Sequence, residues 1–174
     1  MDRNQLLEMT GEVEDVIFRN EENGYTVLTV GCGGEEVTAV GILPLVSAGE
    51  ELHLIGRFKS HANYGEQFSV EAYERSMPSS ASAILKYLSS GAVKGIGPAT
   101  ARRLVEAFGD HTLEVMENEP ERLSKIKGIT PAKAKQMSAE LQEVYGIREL
   151  MVQLQKYGVT PQAAIENAKP PIVI

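Results

Sequence analysis

Residues 94–101 read KGIGPATA, and residues 127–134 read KGITPAKA. A third stretch, residues 158–164, reads GVTPQAA. All three contain a glycine, an apolar residue, a glycine or threonine, a proline and, three positions after the proline, an alanine. The glycines that begin the pattern lie 33 and 30 residues apart, and a pattern that recurs at such intervals indicates a repeated structural unit.

Each position of the repeat has a physical interpretation. The first glycine allows a positive φ, so that the chain can turn sharply between two helices. The apolar residue is expected to point back into the core, and the small alanine lets the two helices approach closely. The third residue is Gly97, Thr130 or Thr160, and these residue types suit the N-cap, while the proline suits the first helical position. The repeat therefore predicts a helix N-terminus with free backbone N–H groups beside a glycine turn, which is a phosphate-binding arrangement.

The second half of the chain has the composition of an all-α domain. Helix-forming residues dominate after residue 82, and Ser82 is the expected N-cap of the first helix. The domain is expected to cover residues 83–168, and residues 169–174 are expected to form a tail because paired prolines cannot continue a helix. The expected helices lie at residues 83–90, 98–108, 112–117, 120–125, 131–145, 147–157 and 161–168.

The first half has a different pattern, in which β-prone runs are separated by turns rich in glycine and asparagine. Five strands are expected between residues 8 and 76, with a longer link after the third strand. This pattern is typical of a small five-stranded OB-like barrel, and an SH3-like barrel is the alternative. The chain is therefore expected to be an α+β protein of two domains, with the OB-like β-barrel at residues 1–76 and a linker at residues 77–82.

The charge is divided unevenly between the two halves. The chain carries a net charge of −7, which by itself argues against a nucleic-acid partner. Residues 1–76 contain 14 acids and 5 bases, a net charge of −9, whereas residues 77–174 contain 10 acids and 12 bases, a net charge of +2. Five bases and no acid lie between Arg122 and Lys135. Because phosphate affinity depends on where the cations lie, the second half is the expected nucleic-acid face.

Several classes of protein are not expected from this sequence. No apolar run approaches the ~20 residues of a membrane-spanning helix, and residues 1–5 are polar, unlike a signal peptide. The single cysteine, Cys32, excludes an internal disulfide and fits a cytoplasmic protein. No catalytic constellation or metal-ligand spacing is recognised among the histidines, and the pair Glu50-Glu51 is expected to be solvated.

Residues 94–98, together with Ala101-Arg102-Arg103-Leu104, resemble a helix-hairpin-helix motif, which binds DNA backbones without reading the base sequence. Residues 108–117, FGDHTLEVME, followed by PERL at residues 120–123, resemble the segment that joins two such motifs in RecD-like superfamily 1 helicases. Residues 18–27, FRNEENGYTV, look like the opening hairpin of that family's N-terminal OB domain. The resemblance covers roughly residues 8–165.

The resemblance implies a parent protein similar to the exodeoxyribonuclease V alpha subunit, an ATP-dependent DNA helicase of DNA repair and recombination. Residues 1–174 contain no Gly-x-x-x-x-Gly-Lys-Ser/Thr loop, so this chain is not expected to hydrolyse ATP or to need a cofactor. ATP and Mg²⁺ are expected only for a full-length helicase. The expected partners are single-stranded, duplex or forked DNA, bound without sequence preference, and the helicase motor domains of the parent; no membrane is expected.

The two basic hairpins supply the expected DNA-binding residues. The third copy of the repeat has no cation in its first turn and is expected to pack rather than to bind. The candidates are Lys94, Gly95, Ile96, Gly97, Thr100 and one or both of Arg102 and Arg103 in the first hairpin, and Lys127, Gly128, Thr130, Lys133 and Lys135 in the second.

DNA binding is less expected of the barrel than of the hairpins, because the negative net charge of the barrel half repels a phosphate backbone. Docking against another protein domain is the favoured interpretation, and single-strand binding by stacking is the alternative. The loop of residues 61–64 is the expected exposed contact, with Arg57, Lys59, His61 and Tyr64 as candidates. The other residues considered for stacking or charge are Tyr25, Phe58, Phe68, Tyr73 and Arg75.

Two other functions remain open from the sequence. A Holliday-junction-binding protein similar to the RuvA family also has an OB barrel before two hairpins, although the joining segment and the opening hairpin favour the helicase resemblance. A protein–protein adaptor, in which the hairpins only pack, is the second alternative. The preferred DNA structure and the oligomeric state are not predicted.

Overall fold

The first unit of the protein is a β-structure whose strands have alternately buried and outward-facing side chains. In β2, the side chains of Thr26, Leu28 and Val30 are buried, while those of the residues between them face outward. The computed structural model describes residues 5–156, with side chains to residue 151. The strands are β1 Leu7–Arg19, β2 Tyr25–Cys32, β3 Glu35–Ile42, β4 Glu51–His61 and β5 Gly65–Ser76.

These five strands form a closed barrel in the order β1-β2-β3-β5-β4. Strand β1 pairs antiparallel with β2 through its second half and with β4 through its first half, which closes the barrel. Strands β3 and β5 pair in parallel, with Ala39 opposite Phe68. Because this Greek-key order is that of a five-stranded OB-fold, the OB-like prediction is confirmed.

The interior of the barrel contains most of the aromatic residues considered for stacking. Phe68 is fully buried, and the Phe58 ring meets it edge-on with 5.1 Å between ring centroids. Phe58 and Tyr73 pack against the buried core. These three aromatic residues stabilise the barrel instead of offering free ring faces, and Tyr25 and Tyr64 are the ones that are exposed.

Glu50 is fully buried, so the prediction that it is solvated is wrong. Arg75 donates to both of its carboxylate oxygens, at 2.8 and 2.7 Å, and the Ser47 N–H donates to it at 2.6 Å. The backbone of Glu50 also lies against β1, because the Val13 N–H donates to the Glu50 carbonyl at 2.8 Å. The link between β3 and β4 therefore folds over the end of the barrel and carries Glu50 inside.

The same link is held by a second arginine. Arg19 donates to the carbonyl oxygens of Leu43, at 3.3 Å, and of Val46. Burial lowers the pKa of the Arg19 guanidinium, since desolvation disfavours its charged form. Arg75 also donates to the Leu45 carbonyl at 3.0 Å. Arg75, which was considered as a source of charge for DNA, is therefore occupied inside the barrel.

The second unit, Pro78–Gln153, is helical. Its core is built from large residues such as Tyr87, Leu104, Met116 and Leu141. No helix in the described part of the chain is long and apolar enough to cross a membrane. The helices are α1 Ala81–Ser89, α2 Pro98–Phe108, α3 Thr112–Asn118 and α4 Pro131–Lys156, with short 3-10 helices at Gly109–His111 and Pro120–Lys125.

Two details of the helical prediction are wrong. The N-cap of α1 is Ser80 instead of Ser82, because the Ser80 hydroxyl accepts the Ala83 N–H at 3.1 Å and the helix begins two residues earlier than expected. Residues 131–145 and 147–157 were expected as two helices, but α4 continues through Gly146. One helical glycine costs only about 1 kcal/mol, which does not end a helix. The third repeat, the helix expected at residues 161–168 and the tail lie outside the described residues.

Candidate nucleic-acid interface

The first hairpin turns at Gly95, between α1 and α2. Gly95 has φ of +88°, a conformation that glycine adopts without the penalty of a side chain. The Ile96 N–H donates to the Val93 carbonyl at 3.3 Å, and the Ile96 side chain is only 4% exposed. Gly97 is the N-cap of α2, and Pro98 follows at the first helical position. The predicted turn, buried tip and cap of this hairpin are confirmed.

The second hairpin repeats this geometry before α4. Gly128 has φ of +93°, and the Ile129 N–H donates to the Ile126 carbonyl at 3.1 Å. Ile129 is buried like its counterpart in the first hairpin. The Thr130 hydroxyl accepts the Lys133 N–H at 3.1 Å, which confirms Thr130 as a side-chain cap. The alanines that end the two repeats, Ala101 and Ala134, are also buried, so they permit the expected close packing.

Both glycine turns leave backbone donors open. Among residues 5–156, no hydrogen bond uses the N–H of Gly95, Gly97 or Gly128. All three glycines are exposed, and a Cβ built on Gly95 or Gly97 would meet nothing within 4 Å. Each hairpin therefore offers unpaired N–H groups to solvent next to the positive end of a helix dipole, where an anion is stabilised.

The caps make the two hairpins unequal as phosphate sites. Gly97 has no side chain, so no cap hydrogen bond consumes a donor in the first turn of α2. Thr130 consumes the Lys133 N–H in the first turn of α4. The first hairpin thus keeps one more backbone donor for a ligand than the second.

Exposed cations flank both turns. Lys94 and Arg102 at the first hairpin, and Lys127 and Lys135 at the second, have exposed side chains. No ion pair occupies these four cations within the described range of the chain. Thr100 and Lys133 are half-buried on the first turns of their helices.

The guanidinium groups of two arginines in this region contact other residues of the protein. Arg103 Nη1 donates to the carbonyl oxygen of Lys127 at 3.3 Å, so a residue of α2 contacts the turn of the second hairpin. Arg122 lies over the Phe108 ring, 5.2 Å from its centroid, and pairs with Glu119 at 3.3 Å. The structure therefore distinguishes Arg102 from Arg103, which the sequence pattern did not.

The barrel candidates lie at the hairpin between β4 and β5. The rings of His61 and Tyr64 are 4.8 Å apart, and Tyr64 is 75% exposed. His61 Nδ1 accepts the Asn63 N–H at 3.2 Å, which fixes the loop. Arg57 pairs with Glu71, while the exposed Lys59 has no ion pair within the described residues. This hairpin, the tip of the barrel, thus presents one tilted aromatic pair with little free positive charge.

The groups that ordinarily hold metals are dispersed. In the described residues, no three His, Cys, Asp or Glu side chains come together as a metal site. Burial raises the pKa of the Cys32 thiol, and its sulfur lies 3.5 Å from the sulfur of Met9. A raised pKa disfavours the nucleophilic thiolate, and Cys32 packs against the buried core of the barrel.

Two family models match separate parts of the chain. Residues 6–78 match the family model of the OB-fold domain of the ATP-dependent DNA helicase YrrC. Residues 85–143 match the model of a SAM-like helix-hairpin-helix tandem. The ATP-dependent RecD2 DNA helicase of Deinococcus radiodurans is 26% identical over 169 residues, which are 92% of this chain and 23% of that protein. The chain therefore spans about a quarter of the length of this relative.

Among solved structures, a crystal structure of TiaS in complex with a transfer RNA, AMPCPP and agmatine is similar to part of the chain. It is 11% identical and covers 46% of this chain and 21% of that chain, with a TM-score of 0.36. This similarity is too low to carry a conclusion about fold or ligand.

Proposed function

We propose that this chain is the sequence-nonspecific DNA-binding region of a RecD-like superfamily 1 DNA helicase, a proposal supported by its matches to a helicase OB-fold domain, to a helix-hairpin-helix tandem and to a RecD2 helicase. It works with motor domains of the parent protein, and those domains bind and hydrolyse ATP with Mg²⁺. The contribution of this chain is to hold DNA, and no chemical step is assigned to its residues.

The observation that carries the proposal is the pair of glycine turns with unpaired N–H groups and flanking cations. At the first hairpin, a phosphate accepts hydrogen bonds from the N–H groups of Gly95 and Gly97, while Lys94 and Arg102 neutralise its charge. At the second, the donors are Gly128 with Lys127 and Lys135. Contacts of this kind fix the position of a DNA backbone and carry no information about base sequence.

A salt titration tests this proposal. With four to six phosphates neutralised, the logarithm of the association constant for a mixed-sequence duplex should fall with the logarithm of salt concentration at a slope of about −4 to −5. The measurement is fluorescence anisotropy of a labelled duplex between about 50 and 200 mM salt. A second duplex of unrelated sequence should give the same dissociation constant. An affinity that does not depend on salt would contradict DNA-backbone binding.

The same titration with single-stranded, forked and four-way-junction DNA separates the helicase proposal from a junction-binding function. Comparable affinity for duplex and fork is expected of a region that holds the DNA backbone without a preferred junction. A stable tetramer with a strong preference for the four-way junction would instead favour a RuvA-like role.

For the tip of the barrel, we infer contact with another protein domain in preference to single-stranded DNA. Arg57 is paired with Glu71, and the barrel half carries a net charge of −9 from 14 acids and 5 bases. A base stacked on Tyr64 would be worth about 1–3 kcal/mol. We therefore expect Tyr64→Ala to change the dissociation constant for an oligo(dT) strand by less than about twofold, which corresponds to only about 0.4 kcal/mol. A loss of affinity of fivefold or more would instead show that the tip of the barrel binds single-stranded DNA.

A further inference from the structure

Arg103 connects the two hairpins. It lies on α2, the helix that follows the first glycine turn, yet its Nη1 atom donates to the carbonyl oxygen of Lys127 in the second turn. A Cβ built on Gly128 would lie 3.0 Å from the same Nη1 atom, so the guanidinium rests directly against this glycine. The hydrogen bond therefore holds the peptide that joins Lys127 to Gly128.

The geometry of that peptide links the hydrogen bond to the proposed phosphate site. The described residues contain no cis peptide bond, so the Lys127 carbonyl and the Gly128 N–H point in opposite directions across one plane. When Arg103 binds the carbonyl on one side, the N–H is turned away from the guanidinium. A cation on the carbonyl also polarises the peptide, and this strengthens the N–H as a donor.

The first hairpin has no equivalent contact. In the part of the chain that the structure describes, no side chain donates to the Lys94 carbonyl, and a Cβ on Gly95 would have open space around it. Counting 33 residues from Arg103, the interval between the first two repeats, leads to Gln136, which is exposed on α4. The arginine is thus a contact from the first repeat to the second and not a feature that each repeat carries.

We propose that Arg103 is a positioning residue for DNA binding: it orients and polarises the Gly128 N–H of the second hairpin, while its neighbour Arg102 contacts phosphate directly. This inference rests on the proposed function. Arg102 is exposed and, within residues 5–156, has no ion pair or hydrogen bond from its guanidinium. The two adjacent arginines therefore have different tasks.

The test is a double-mutant cycle read by the dissociation constant for a mixed-sequence duplex at fixed salt. Thr130→Asp provides the background, because aspartate retains an N-cap oxygen while its charge repels phosphate from the second hairpin. In the otherwise unchanged chain, Arg102→Ala should weaken binding about tenfold by removing its own charged hydrogen bond to phosphate, and Arg103→Ala about tenfold by removing the Gly128 N–H bond to phosphate that it positions. In the Thr130→Asp background, Arg103→Ala should have less than about a twofold effect, while Arg102→Ala keeps its tenfold effect.

A spectroscopic readout separates positioning from general damage to the fold. Arg103→Ala should shift the amide resonance of Gly128 in the free protein, and Arg102→Ala should leave it unchanged. Equal effects of Arg103→Ala in both backgrounds, no effect in either, or undiminished binding by Thr130→Asp alone would each overturn the inference while DNA binding stands. A chain that binds no DNA, or binds it without salt dependence, would overturn the proposed function itself.

Discussion

Replacing Lys94 and Lys127 together by glutamate should lower the affinity for duplex DNA about 100-fold. Each substitution removes a charged hydrogen bond worth at least about 1.4 kcal/mol, which is about a tenfold loss of affinity, and the two losses multiply. Both lysines are exposed and directly precede the glycines with positive φ. Their ammonium groups can therefore reach a phosphate that is held by the adjacent N–H donors. Glutamate removes the attraction and adds repulsion in the same place. The dissociation constant is measured by anisotropy with a mixed-sequence duplex at physiological salt.

Lys59→Glu is the control for the charge reversal that each of these two substitutions makes. Lys59 is also exposed, and it lies on β4 of the barrel. Because the barrel is not proposed to hold duplex DNA and exposed charges are screened at physiological salt, Lys59→Glu should change affinity less than about twofold. An unchanged far-UV circular dichroism spectrum would show that each variant is folded. If the folded double variant binds DNA as tightly as the original chain, the hairpins only pack, and the adaptor interpretation is correct.

The hairpins were predictable from sequence because local chemistry determines them. A positive φ at Gly95 and Gly128 follows from the residue type that tolerates it, and the cap at Thr130 follows from a hydroxyl three residues before a helical N–H. Ile96 is the apolar residue that follows the first glycine of the repeat, so its burial was also expected. The roles of these residues in binding DNA stay predictions.

Other features depend on contacts between residues that are distant in sequence, and the local sequence pattern could not predict them. Arg102 and Arg103 are adjacent and identical, and only the approach of the second turn separates their contacts. Gly146 has the residue type of a helix end, but α4 passes through it. Glu50 was expected in solvent because the Glu50-Glu51 pair stands at the start of a strand, and Arg75, 25 residues away, is the partner that permits its burial.

Substitution of Arg75, the partner of Glu50, has the largest expected effect on stability. Arg75→Met should lower the free energy of unfolding of the barrel by about 3–5 kcal/mol, the usual cost of leaving one charge of a buried pair without its partner. The Glu50 side chain is completely inaccessible, whereas that of Arg75 is 14% exposed, so removal of the arginine leaves the more deeply buried charge. The substitution also removes the donor that holds the Leu45 carbonyl, at the one described non-glycine residue with positive φ, +66°.

The measurement is urea denaturation followed through the amide resonances of the barrel strands, which report that unit separately from the helices. Arg57→Met is the matched control, because Arg57 pairs with Glu71 where the two side chains are 33% and 40% exposed. Exposed pairs contribute about 0–1 kcal/mol, so this variant should be nearly neutral.

Adding Glu50→Gln to Arg75→Met should recover at least half of the loss, since a neutral amide oxygen can still accept the Ser47 N–H without a buried charge. The recovery is the informative part. If the double variant is as unstable as Arg75→Met alone, packing of the arginine and its hydrogen bonds to the link hold the end of the barrel. If the double variant recovers stability, Arg75→Met is destabilising because it leaves the buried Glu50 carboxylate without a partner. The Glu50–Arg75 ion pair then fixes the position of the link between β3 and β4 and does not add net stability.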